Sequence, residues 1–139
     1  MTVPEELARR AATAMWANDT ASQALGMEIL DIGPGVATLT MIVTETMLNG
    51  HGTTHGGYIY TLADSAFAFA CNSYNERAVA AHCSISYIRP GKLGEKLIAV
   101  AREVSRVGRS GIYDVEIIQD NEVIAHFRGH SRLIGGSVI

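Results

Sequence analysis

Only two cysteines occur in 139 residues, and Cys71 and Cys83 form no CxxC pair. That excludes a disulfide framework and a cysteine-rich zinc site, and is consistent with two reduced, partly buried thiols. No stretch of about 18 uncharged apolar residues exists, because the longest apolar run, Gly56 to Cys71, is interrupted by Asp64; a membrane-spanning helix is not expected. The opening residues Met1-Thr2-Val3-Pro4-Glu5-Glu6 lack a basic leader and an apolar signal core, so a cytoplasmic location is expected. An excess of basic charge is also missing: 11 Lys+Arg stand against 14 Asp+Glu, a formal charge of −3. Nucleic acid is therefore not expected as a general partner, although a local group of arginines could hold a small anion.

Aromatic side chains make up 6% and charged ones 18%, against 47% hydrophobic residues. The core must then be built from Ala, Val, Ile and Leu, and disorder is excluded. The length is that of one domain, residues 1–139. So little polar surface implies that part of the exterior is covered by another copy.

Thr2 followed by Glu5 forms a capping-box pattern with Pro4 in the first turn, and Leu7, Ala11, Ala14 and Met15 recur at helical spacing, which predicts a helix from about Val3 to Asn18. A short turn from Asp19 or Thr20 stops at Gly26. Met27–Ile32 and Val36–Val43, joined by Gly33-Pro34-Gly35, read as a hairpin. A loop rich in Gly and His then opens a helix through Tyr58–Asn72 that has no polar face, the pattern of a helix buried on all sides. Strands are predicted at Ala78–Ile88, Lys96–Val107, Gly111–Ile118 and Val123–Leu133, the last two joined at Asp120-Asn121. No internal repeat or linker interrupts this order. The resulting class is α+β, a long central helix wrapped by an antiparallel sheet of five to six strands, with edge pairing to a second copy as the expected way to hide the sheet's edges.

Several site motifs fail. His51 and His55, and again His126 and His130, show H-x3-H spacing. Four residues of strand span about 13 Å, too far for the second pair to share a metal; the loop pair has no carboxylate or cysteine at ligand spacing, which favours hydrogen-bonding histidines over zinc. The loop Gly50–Gly57 lacks the Lys-Ser/Thr ending of a phosphate loop and does not match GxGxxG, and no G-x-S-x-G elbow exists. What survives is Asp64. An ionised carboxylate within an apolar helix is costly unless it is paired, hydrogen-bonded or facing a cavity, so Asp64 is either a structural hydrogen-bonding group or a functional one. His55-Gly56-Gly57 opens the same helix, where unpaired amides and the positive end of the helix dipole converge, as in an oxyanion hole.

Gly56 and Asp64 are eight residues apart, which on one helix separates them by about 12 Å along the axis. One helix cannot offer both to a single carbonyl. If the two act together, Asp64 comes from one subunit and the glycine amide from another across a two-fold axis, which requires a dimer.

Asn49-Gly50-His51, His55-Gly56-Gly57 and Leu62-Ala63-Asp64-Ser65-Ala66-Phe67-Ala68 resemble the signature of the phenylacetic acid degradation thioesterase family, hotdog-fold acyl-CoA thioesterases. The resemblance continues through Tyr87-Ile88-Arg89-Pro90-Gly91, Tyr113–Ile117 and Phe127-Arg128-Gly129 and covers nearly the whole chain. It implies a hotdog fold, dimers assembled into a homotetramer, and hydrolysis of phenylacetyl-CoA and its hydroxylated forms without a metal or cofactor, coenzyme A being part of the substrate. By the same resemblance Asp64 is the general base or the nucleophile, the Gly56 amide, with Gly57, the oxyanion donor, and Asn49 and His55 orient thioester or water. The chain departs from related thioesterases at Ala68 and Ala80, where a supporting Ser or Thr is common; Ser65, Ser84 or His82 are the candidates to replace it.

Coenzyme A carries phosphates that an acidic chain can bind only at local basic groups. Tyr87, Arg89, Pro90 and Lys92 form one candidate segment, and Arg106, Gly108, Arg109 and Ser110 a second. Solvated strand-end cations are the alternative reading of each. Other functions compatible with the pattern are a thioesterase for medium-chain acyl-CoA, a hotdog dehydratase and a non-catalytic acyl-CoA-binding module.

Overall fold

The computed structural model describes residues 3–139. Helix α1 spans Pro4–Asn18 and α2 Thr20–Ala24; strands β1 (Glu28–Gly33) and β2 (Val36–Ile42) follow, then a 3₁₀ turn at Glu45–Met47 and the helix α3 (Gly56–Cys71). Strands β3 (Ala78–Tyr87), β4 (Lys96–Val107), β5 (Ser110–Gln119) and β6 (Glu122–Leu133) complete the chain.

Pro4, with its preset φ, and the acidic Glu5 and Glu6 favour the start of α1. The residue at the cap is Val3, which makes no side-chain bond; the Thr2 half of the expected capping box lies outside the described residues. Asp19 caps α2, accepting from the Ser22 amide at 3.0 Å. Asp120 and Asn121 both take positive φ, 50° and 62°, the backbone that a two-residue turn between twisted strands demands.

All six strands form one antiparallel sheet in the order β1-β2-β4-β5-β6-β3. Alternate residues Leu39, Met41, Leu97, Ala99, Val115, Ile117 and Phe127 point inward and are buried. Against them α3 lays Leu62, Ala63, Ala66, Phe67, Phe69 and Ala70, also buried. The Phe67 ring sits 5.8 Å from both Tyr113 and Phe127 and so close to β6 that a Cβ at Gly129 would lie 2.6 Å from it. The expected hotdog arrangement, a long helix wrapped by an antiparallel sheet, is thus the observed one, with six strands.

One expectation is corrected. α3 is not buried on all sides: Tyr60, Thr61, Asp64, Ser65 and Ala68 form a half-exposed stripe at helical spacing. The cause is the position of β3 at the edge of the sheet. An edge strand covers the helix from one side only, and β3 itself leaves Val79 and Tyr87 exposed, with Ile88 exposed just beyond its end.

Candidate active site

The loop before α3 is folded by its own polar side chains. Asn49 accepts from the amides of His51 and Thr53 at 2.9 and 3.2 Å and donates to the Thr53 hydroxyl at 3.0 Å. Its side chain is held inside the loop and shapes it. The loop delivers His55 to the N-cap of α3, where the imidazole Nδ1 accepts the Gly57 amide at 2.9 Å. An accepting Nδ1 leaves the ring hydrogen on Nε2.

This cap divides the two glycines. The Gly57 amide is engaged by His55, and the Tyr58 amide donates to the His55 carbonyl at 3.0 Å. No acceptor among the described residues takes the Gly56 amide, so the unpaired donor at the positive end of α3 is Gly56. Tyr87 covers it from β3: the phenol donates to the Gly56 carbonyl at 2.8 Å, and the ring lies where a side chain at residue 56 would go. Thr54, Gly56, Ile59, Tyr87, Ile88, Arg89 and Pro90 line an open groove here of about 360 Å³.

Asp64 stands two turns further along α3, on the half-exposed stripe. Burial pushes its carboxyl above the ordinary carboxylate range, and the negative charge of Asp19 adds to the rise. Tyr60, one turn before it, has its phenol pushed up to about 12 by burial, by the neighbouring Cys83 and by the charge of Asp64. Its ring packs edge-on against Phe127 at 5.4 Å. Cys83 and Cys71 are both raised, chiefly by burial and partly by Asp64. Asp64, Tyr60 and Cys83 thus lie near one another where α3 meets the inner face of β3.

Strand register decides which other side chains of β3 face α3. Cys83 lies opposite Gly129 and Ile85 opposite Phe127, on the inner face; His82, Ser84 and Ser86 lie opposite His130, Arg128 and His126, on the outer face. The His82 ring meets His130 at 5.6 Å there. Ser65 is next to Asp64 in sequence, but its hydroxyl pairs with that of Ser22 at 2.8 Å, which in turn donates to Asp19 at 2.7 Å. None of the three substitutes expected for the missing hydroxyl is therefore turned toward Asp64 within this subunit. Of the other hydroxyls on that stripe, Thr61 donates to the Gly57 carbonyl at 2.8 Å and Ser65 is paired with Ser22, which leaves Tyr60, whose i, i+4 spacing to Asp64 was the available signal.

The two basic segments are separated. Arg89 sits in the groove beside Gly56, paired with Glu122 at 2.9 Å and donating to the Val123 carbonyl at 2.9 Å. Pro90 accepts from Gln119, and the Lys92 amide donates to the same side chain, which fixes the strand end. Arg106, Gly108, Arg109 and Ser110 line a smaller cavity with Cys71 and Tyr113, where the Arg106 guanidinium lies 3.5 Å from the centre of the Tyr74 ring. These are the two ends of α3, about 22 Å apart at 1.5 Å per residue. Among the described residues no group of three His, Cys, Asp or Glu side chains is placed to hold a metal ion, and no helix is long and apolar enough to cross a membrane.

A long helix that begins at an unpaired glycine amide, carries one half-exposed carboxylate and is wrapped by this sheet defines a hotdog-fold thioesterase. The Thioesterase superfamily model matches residues 51–125, and the chain belongs to that family. It is 46% identical over 128 residues to Acyl-coenzyme A thioesterase PaaI of Escherichia coli K12, covering 91% of each chain. The solved E. coli PaaI protein, from the phenylacetic acid degradation operon, superposes with a TM-score of 0.95 at 43% identity, over 97% of this chain and 99% of that one. A Streptococcus mutans UA159 protein solved bound to acetyl CoA matches with a TM-score of 0.77 at 28% identity, over 80% and 90% of the two chains. The resemblance to phenylacetic acid degradation thioesterases, read from the motifs, is borne out.

Proposed function

We propose that this thioesterase hydrolyses phenylacetyl-CoA and hydroxylated phenylacetyl-CoA to the free acid and coenzyme A. The observation that carries the proposal is the pairing of one raised, half-exposed carboxylate, Asp64, with one unpaired helix-start amide, Gly56, on a chain closely similar to PaaI. The thioester carbonyl accepts from the Gly56 N–H, which stabilises the oxyanion as it forms. Asp64 either takes a proton from the attacking water or attacks the carbonyl itself to give an anhydride that water then opens. Both routes end with the C–S bond broken and the thiolate protonated, and both use side chains and an amide alone, without metal or cofactor.

The 12 Å separation argues for a homodimer in which Asp64 of one subunit faces Gly56 of the other. The β3 edge, with its exposed apolar residues beside the Asp64 stripe, is the surface for that pairing. Two dimers would then make a homotetramer. With central helices antiparallel across the dyad, the Arg106–Ser110 turn of one subunit approaches the Gly56 end of its partner, which gives the coenzyme A phosphates basic groups from both segments. The protein acts in the cytoplasm in this reading, without nucleic acid or membrane as partner.

Thiol release from phenylacetyl-, hydroxyphenylacetyl-, benzoyl- and medium-chain acyl-CoA tests the substrate. Fastest turnover of the arylacetyl thioesters is expected. Preference for a medium-chain thioester would overturn the acyl assignment, and coenzyme A binding without thiol release from any of the panel would overturn the enzymatic one.

A further inference from the structure

A water that attacks a thioester beside Asp64 needs a second polar partner, because a carboxylate only accepts and an ordered water makes about three hydrogen bonds. The neighbouring hydroxyls are accounted for. Ser65 is tied to Ser22, Thr61 donates to the Gly57 carbonyl at 2.8 Å, and Ser84 extends from the outer face of β3. Position 68, one turn after Asp64 on the same stripe, is an alanine. Tyr60 lies one turn before it, and residues four apart on a helix bring their Cβ atoms within about 6 Å. Its ring is fixed against Phe127 at 5.4 Å, so the direction of the phenol is set by the core. Among the described residues no oxygen or nitrogen accepts from its hydroxyl, and the neighbouring Cys83 sulfur is a weak acceptor that a water oxygen readily replaces.

From this geometry we propose that Tyr60 is a positioning residue, its hydroxyl holding the attacking water against the Asp64 carboxylate. The inference rests on Asp64 acting as proposed above. In the step it serves, the water oxygen bonds to the carbonyl carbon while its proton passes to Asp64, and the electron pair of the C=O bond moves to the oxygen held by Gly56. Collapse of that oxyanion breaks the C–S bond, and the thiolate leaves with the proton from Asp64. Tyr60 gives up no proton; it sets where the water stands. The same placement serves the water that opens an anhydride.

The test compares Tyr60→Phe and Ser65→Ala with the wild-type oligomer on phenylacetyl-CoA. Tyr60→Phe keeps the ring on Phe127 and removes one oxygen. A kcat lower by about tenfold or more is expected, with KM within about twofold, an unchanged melting temperature and an acidic limb of the pH profile moved to higher pH by loss of a donor beside Asp64. Ser65→Ala is expected to keep its kcat. Wild-type kcat in Tyr60→Phe overturns the inference, as does a loss that appears in KM together with a lowered melting temperature, which would mark Tyr60 as packing. If the wild-type protein releases no thiol from any acyl-CoA, the proposed function fails and this inference fails with it; if wild type is active and Tyr60→Phe equals it, only this inference fails.

Discussion

The Tyr87 hydroxyl donates to the Gly56 carbonyl at 2.8 Å, and its ring occupies the space a Cβ at residue 56 would need, 2.9 Å from the nearest carbon. One aromatic side chain from the edge strand therefore fixes the start of α3 and restricts the position to glycine. The amide that remains unpaired there is held rigidly, which an oxyanion donor requires.

Gly56→Ala should cost about a hundredfold in kcat, because the methyl group must displace the Tyr87 ring or the helix start. Tyr87→Ala relieves the clash, so the double variant is expected to be less impaired than the product of the single losses. Steady-state kinetics on the four proteins of the cycle measures that coupling.

Asp64→Asn should lower kcat by about a hundredfold or more while the fold persists. Its stability effect has a definite sign. The folded carboxyl titrates above its unfolded value, so as pH rises the unfolded chain loses this proton first, and the native state loses stability from the unfolded pKa up through the folded one. Asp64→Asn is therefore expected to melt higher than wild type at neutral pH and to lose that advantage in acid; calorimetry across pH 3–8 checks it. The acidic limb of kcat/KM should lie above the ordinary carboxylate range of about 4, and Asp19→Asn should move it down.

Mixed oligomers test the shared site. Asp64→Asn and Gly56→Ala proteins, each nearly inactive, should regain activity when unfolded together and refolded, because a heterodimer contains one site with both groups intact. Activity no greater than the sum of the two parents would place both groups of each site on one chain.

His55→Ala removes the acceptor for the Gly57 amide and should destabilise the protein by about 1 kcal/mol, the usual worth of an N-cap. His55→Asp, which restores a capping acceptor, should recover most of that in urea unfolding. Whatever activity stays missing in His55→Asp then belongs to the imidazole Nε2.

Gly129→Ala sets a methyl group 2.6 Å from the Phe67 ring. Overpacking of this kind costs about 1–3 kcal/mol, and chemical denaturation should show it with little change in KM, since Phe67 is buried away from the open stripe.

Much of this protein was legible in its sequence. Period-two and helical spacing located the six strands and the central helix, the Asp120-Asn121 turn followed from residues that tolerate positive φ, and the spacing of Gly56 and Asp64 already required two subunits for a joint site, since helix rise per residue is fixed. These are local properties of the chain, decided within a few residues. Tertiary packing decided the rest. An apolar helix could not reveal that one stripe stays open, because that depends on β3 standing at the edge of the sheet. Nor could sequence separate Gly56 from Gly57, turn Ser84 and His82 away from Asp64, or set the two arginine segments at opposite ends of α3. Each of those depends on which side chains a folded neighbour engages first, and a linear pattern does not carry that information.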